Sequence, residues 1–145
     1  MIIRSIREVV ATRHLNVIAP DATARTACHE LERANTSALA VMEGDRLVGI
    51  LSEKDVICKC IAGDRRSDET RVADIMTPDP ITIGADARLA DAMDLMVKNG
   101  FRHLPVMDGS RVLGILSMRD IPTEYRLMFE RFTEYQRGVV EAQIA

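Results

Sequence analysis

The sequence predicts an α/β fold: two copies of one β-α-β-β-α plan followed by a C-terminal helix. Three observations carry this expectation, namely an ungapped internal repeat, a glycine-turned hairpin in each copy, and a tail of apolar residues at helical spacing. Residues 17–56 laid over 82–121 agree at 14 of 40 positions, among them Ile18, Asp21, Gly44, Gly49, Ser52 and Asp55, each with its counterpart 65 residues later. Such a match marks an internal duplication, and a duplication is settled before any single element.

Each copy begins with a short extended piece, Val17–Ile18 or residues 81–83. Asp21 and Asp86 follow as expected N-caps, their carboxylates taking up free amide protons of a first helical turn. Ala24, Ala27, Cys28, Leu31 and Ala34 then share one helical face, as do Leu89, Ala92, Met93, Met96 and Val97. Gly100 suits the left-handed residue that closes the second of these helices. "ALAVM" and "LVGIL" around "EGDR", and "HLPVM" and "VLGIL" around "DGSR", read as hairpins whose apolar strands are buried on both faces.

Ser52 and Ser117 end the strands and open a second helix. Pro122 should break and restart that helix in the second copy, whereas 56–62 runs on. Dense charge without periodicity makes 62–71 a connecting loop; "VADIM" is a short amphipathic turn and "TPDP" is extended. The expected units are 8–62, a linker at 63–71, 72–121, and a helical tail at 122–145. In the tail Tyr125, Phe129, Phe132 and Tyr135 hold four of the chain's five aromatic rings, a stripe suited to core packing or contact with an identical subunit.

Net charge is −3 and the pI near 5.6, which gives no global field for nucleic acid. No apolar run approaches the ~20 residues of a membrane span. Three cysteines, an odd number, argue for a reducing compartment, and a cytoplasmic location is expected. Cys58 and Cys60 flank Lys59 without further ligand-type residues nearby, so free thiols are the favoured reading over zinc. Cys28, on an apolar face, is expected in the core.

The duplicated junction "GILSEKD" and "GILSMRD" carries the functional reading. Ser-x-x-Asp before an apolar run is a capping box in one interpretation. Three details favour a ligand instead: aspartate is shorter than the glutamate such boxes prefer, Lys54 or Arg119 precedes it at a helix N-terminus, and Gly49 and Gly114 leave room beside the strand. A hydroxyl, a carboxylate and a base at such a terminus suit a sugar phosphate.

"RHLPVMDGSRVLGILSMRD" with the weaker "SALAVMEGDRLVGILSEKD" closely resembles the paired domains named after cystathionine β-synthase, the CBS domains, over about residues 8–121. The resemblance implies two units related by a pseudo-twofold axis, with adenosine nucleotides (AMP, ADP, ATP, NAD or S-adenosylmethionine) in clefts between them. It assigns ribose and phosphate contacts to Ser52 and Asp55 in one cleft and to Ser117 and Asp120 in the other. It nominates Arg102 and His103 for phosphate, and Val17, Ile18, Thr82 and Ile83, assisted by Leu39 and Leu104, for adenine. Because Ser37-Ala38 stands where the second copy has Arg102-His103, the two sites should be unequal.

The resulting expectation is a stand-alone, non-catalytic regulatory module, a homodimer that reports nucleotide occupancy to a separate effector. The alternatives are a redox or metal switch through Cys58 and Cys60, a small hydrolase with Asp55 or Asp120 as base and His103 as acid, and nucleic-acid binding around Arg65, Arg66 and Lys54.

Overall fold

The computed structural model describes residues 4–144. Ser5 caps the first helix, α1 (Ile6–Ala11), in a reciprocal box with Glu8. The first copy then runs β1 (Val17–Ile18), α2 (Ala24–Ala34), β2 (Ala38–Glu43) and β3 (Arg46–Ser52). From Ser52 a single turn, α3 (Glu53–Asp55), widens at once into a π-helix, Val56–Ile61. The connection contains α4 (Val72–Ile75) and β4 (Thr77–Pro78). The second copy repeats the plan as β5 (Ile83–Gly84), α5 (Leu89–Asn99), β6 (His103–Asp108) and β7 (Arg111–Ser117), and after a 3₁₀ turn at Met118–Asp120 the chain ends in α6 (Thr123–Ile144).

The two sheets, β1-β2-β3-β4 and β5-β6-β7, share one register logic. A parallel first strand pairs with the hairpin (Ile18 with Val41, Ile83 with Val106), and a bulge follows Val41 and Val106. Gly44 and Gly109 turn the hairpins at φ of 62° and 60°, the left-handed conformation glycine adopts without a Cβ penalty. Burial on both faces holds for the first four residues of β2 but not for β3, whose pattern alternates from Val48 onward.

Four local expectations are corrected. Thr23 caps α2 through its hydroxyl, and Arg88 stands at the N-cap of α5; Asp21 is exposed, and Asp86 instead binds Arg7 at 3.0 Å. Cys28 is exposed rather than core, because Ala24, Ala27 and Leu31 define the buried face. Val97 is exposed for the same reason, at the edge of a face formed by Leu89, Ala92, Met93 and Met96. Residues 56–62 do run on after Asp55, but with π rather than α geometry. Pro122 does interrupt the second copy, with Ile121 extended before α6 restarts.

Each core is completed by a segment that precedes the other copy. Ile6, Val9 and Val10 of α1 join Ile83, Leu89, Met93, Met96, Leu104 and Leu116, with Phe101, Tyr125 and Phe129 packed at the edge. Val72 and Ile75 of α4 join Ile18, Leu31, Leu39, Val41 and Leu51. A half of about 60 residues buries a marginal core by itself. The exchanged segments add apolar surface to both.

This crossing also accounts for the glycines at the duplicated junction. A Cβ on Gly49 would lie 2.5 Å from Met76 Sδ and 3.0 Å from Thr77 O, and one on Gly114 would lie 3.0 Å from Val10 Cβ. The room beside each strand is therefore filled by the incoming segment and not left for a ligand, which corrects the expectation drawn from their size.

Candidate functional site

Both duplicated junctions fold the same way. Ser52 is extended (φ −106°, ψ 163°), so the strand ends pointing its hydroxyl at the new helical turn, where Oγ accepts from Asp55 N–H at 3.2 Å. Asp55 Oδ2 reaches back to accept from Ser52 N–H at 3.0 Å and from the Ser52 hydroxyl at 3.1 Å. At the other junction Asp120 Oδ2 accepts from Ser117 N–H at 2.7 Å, and Ser117 Oγ from Arg119 N–H at 3.3 Å. The reciprocal box is present in both copies. The shorter aspartate closes it in both copies, so its length does not leave the carboxylate free of the cap, which corrects the expectation that it favours a ligand over a capping box.

The two carboxylates differ in their remaining partners. Asp55 Oδ1 meets Lys59 Nζ at 3.1 Å, and its side chain keeps 15% exposure. Asp120, at 10%, is gripped by both terminal nitrogens of Arg13. This fork also raises the Arg13 guanidinium's pKa, with the Asp120 hydrogen bonds as the main cause. A bidentate pair of this kind is the stronger arrangement.

Ser52, Lys54, Asp55, Arg102, His103, Ser117 and Arg119 line one cleft of about 980 Å³ between the two repeats. Seven of the residues singled out in the sequence thus converge on a single opening that straddles both junctions. Asp120 lies apart, in a smaller depression of about 270 Å³ that Arg13 shares. Ile18, Ile83, Leu39 and Leu104 are core residues, while Val17 and Thr82 are exposed away from the cleft. The apolar wall comes instead from Ile50, Pro80, Ile81 and Phe101. Ile81 lies only two residues before Ile83, within the extended piece read from the sequence, so the shift is one of register. Arg126, contributed by α6, had no sequence signal, because it lies beyond the repeat.

Ser37 and His103 stand at neighbouring rather than equivalent positions of the repeat, and they meet across the cleft: Ser37 Oγ and His103 Nε2 are 2.7 Å apart. Burial pushes the His103 imidazole below its ordinary 6.5, Arg102 and Arg119 add to that, and Glu53 and Asp120 oppose it. A neutral ring bridging the halves is the consequence. Cys58 lines the cleft, but Cys60 is buried in the first core with Sγ 3.5 Å from Arg65 O. The pair does not face one opening, and among the described residues no group of three His, Cys, Asp or Glu side chains could hold a metal. No helix among them is long and apolar enough to cross a membrane.

The family pattern described as CBS domain matches residues 6–60 and again 72–124. The chain belongs to the CBS-domain family. It is 33% identical over 127 residues to the CBS domain-containing protein CBSX3, mitochondrial, of Arabidopsis thaliana, covering 81% of this chain and 62% of that one, so it spans less than two thirds of this relative. A CBS domain protein from Pyrobaculum aerophilum, solved in complex with AMP, superposes with a TM-score of 0.76 at 22% identity, covering 88% of this chain and 99% of that one. A hexameric CBS-CP12 protein from bloom-forming cyanobacteria superposes at 0.75 with 25% identity over 97% and 86% of the two chains. The α/β architecture of tandem CBS units is thus shared by solved relatives, and in this chain it is followed by the long helix α6.

Proposed function

We propose that this CBS pair is a non-catalytic regulatory module that binds one adenosine nucleotide in the inter-repeat cleft. The observation that carries the reading is the convergence of Ser52, Asp55, Lys54, Arg102 and Arg119 on one opening with an apolar wall. Ile50, Ile81 and Phe101 supply the apolar lining for a purine. Asp55 is the acceptor for ribose hydroxyls, since its bond to Lys59 is half-exposed and inexpensive to exchange. Lys54, Arg102 and Arg119 face the phosphate. The relative from Pyrobaculum aerophilum, which shares the fold, holds AMP.

Asp120 takes no ribose while Arg13 holds it, so one ligand per chain is expected. Occupancy would act by shifting the packing of the two halves or of two subunits, which requires that the ligand prefer one arrangement. A second copy of the chain is the expected neighbour, through the outward face of α6.

Titration calorimetry with adenine nucleotides tests this. One site per chain is expected, and Asp55→Asn, which keeps size and can still close the turn, should weaken binding by about tenfold or more, the scale of one charge-assisted hydrogen bond. Unchanged affinity in a folded Asp55→Asn protein would remove the proposal.

A further inference from the structure

The inter-repeat cleft carries more positive charge than its junctions alone provide. Outside the cleft Arg7, Arg13, Arg33, Arg66 and Arg88 each bind a carboxylate, whereas others, such as Arg25, Arg46 and Arg111, have no ion pair among the described residues. Lys54, Arg102, Arg119 and Arg126 all line the cleft, and none has a carboxylate within ion-pair distance among the described residues. Arg126 is the most unusual of the four. Its Nε is the one buried side-chain nitrogen or oxygen among the described residues without a hydrogen-bond partner. Its only side-chain bond is from Nη2 to Thr123 Oγ1, at 3.3 Å. A buried N–H without an acceptor costs stability unless a ligand atom meets it.

We propose that Arg126 is a phosphate contact supplied by the C-terminal helix, and that it makes the cleft selective for nucleotides with two or more phosphates. This deepens the nucleotide reading above and rests on it. Glu53 and Asp79 line the same cleft, so charge does not by itself demand a polyphosphate. A single phosphate, at about −1.5 to −2 charges, is met by Lys54, Arg102 and Arg119, and a further phosphate is the group left for the unpartnered Nε of Arg126. Arginine is suited to that end of the ligand because its fork binds two oxygens at once. Arg126 sits in the first turn of α6, whose backbone starts from Pro122 O. A phosphate held there ties the ligand to the base of the tail, so phosphate number is read by the helix that carries the exposed rings.

Calorimetry with AMP, ADP, ATP and inorganic tripolyphosphate on the full chain tests the assignment, with Arg126→Ala, Arg126→Lys and, as control, Arg131→Ala. The wild type should bind ATP at least tenfold tighter than AMP. Arg126→Ala should bring the two within about twofold while AMP affinity stays put, Arg126→Lys should keep part of the preference, and Arg131→Ala all of it. ATP should also slow amide exchange in the first turns of α6, an effect absent from Arg126→Ala. No preference for ATP in the wild type, or equal weakening of every ligand in Arg126→Ala, overturns the proposal while Asp55-dependent binding leaves the nucleotide reading intact. Tripolyphosphate binding that needs Arg126, with adenine nucleotides silent, keeps the anion contact and sinks the nucleotide reading; silence from all four probes overturns both.

Discussion

At Gly114 the nearest obstacle to a side chain is Val10, a residue that precedes the whole first repeat. Gly114→Ala must push α1 outward, and overpacking of this sort costs about 1–3 kcal/mol. Urea unfolding should show that loss, and Gly138→Ala, which meets nothing within 4 Å, should show none. His103 makes a second prediction. Its folded pKa lies below the unfolded value, so the unfolded chain takes up the proton first as pH falls through about 6.5, and stability declines from there. Melting temperature should therefore drop between pH 7 and pH 5, and drop less in His103→Gln. The carboxylates held low by arginine, Asp86 among them, lose their contribution further down, as pH falls through their own range. Arg13→Ala should release Asp120 and raise nucleotide stoichiometry above one per chain in calorimetry; a value still at one would show that the depression, at about 270 Å³, is too small to serve.

Among the elements, α6 is the least self-sufficient. Tyr125 and Phe129 pack against the second core, but Phe132 and Tyr135 are 59% and 71% exposed, with Met128 and Val139 on the same side at three- and four-residue steps. That spacing is the seam along which a second helix packs. Phe132→Ser with Tyr135→Ser should lower the mass seen by light scattering and leave the thermal transition nearly unchanged, since neither ring contributes to the core of its own chain. A mass unaffected by the double substitution would end the dimer expectation. The π-helix is the other element with a role in the site. It carries Lys59 and Cys58 toward the cleft while Val56 and Cys60 stay buried. Nothing in "VICKCI" announces the wider turn, because α and π geometry bury nearly the same apolar positions over six residues.

Over the whole molecule, the repeat and its spacing made the plan of strands and helices legible, since identical short patterns 65 residues apart constrain each other. Helix caps were misplaced by two residues, where Thr23 competes with Asp21 for the same orphan amides. The cleft was legible from the junctions, Arg102 and His103, but not its apolar wall, because strand register decides whether Ile81 or Ile83 faces inward. Arg13 and Arg126 could not be found from the pattern, as both act from outside the repeated segment. The exchange of α1 and α4 was equally hidden, because no local periodicity says which sheet a helix will cover. Deleting residues 1–12 should cost more than about 4 kcal/mol, from three buried side chains worth about 1.5–3 kcal/mol each, and urea titration should show it as weakening of the second half's probes first.

That exchange sets an order of events during synthesis. Helix α1 leaves the ribosome with its apolar side bare, and its proper seat, the last strand of the second sheet, is made only about a hundred residues later at ~5–20 residues per second. For several seconds the nascent chain carries an uncovered greasy patch on α1, an opening for chaperones or for a neighbouring chain to capture it.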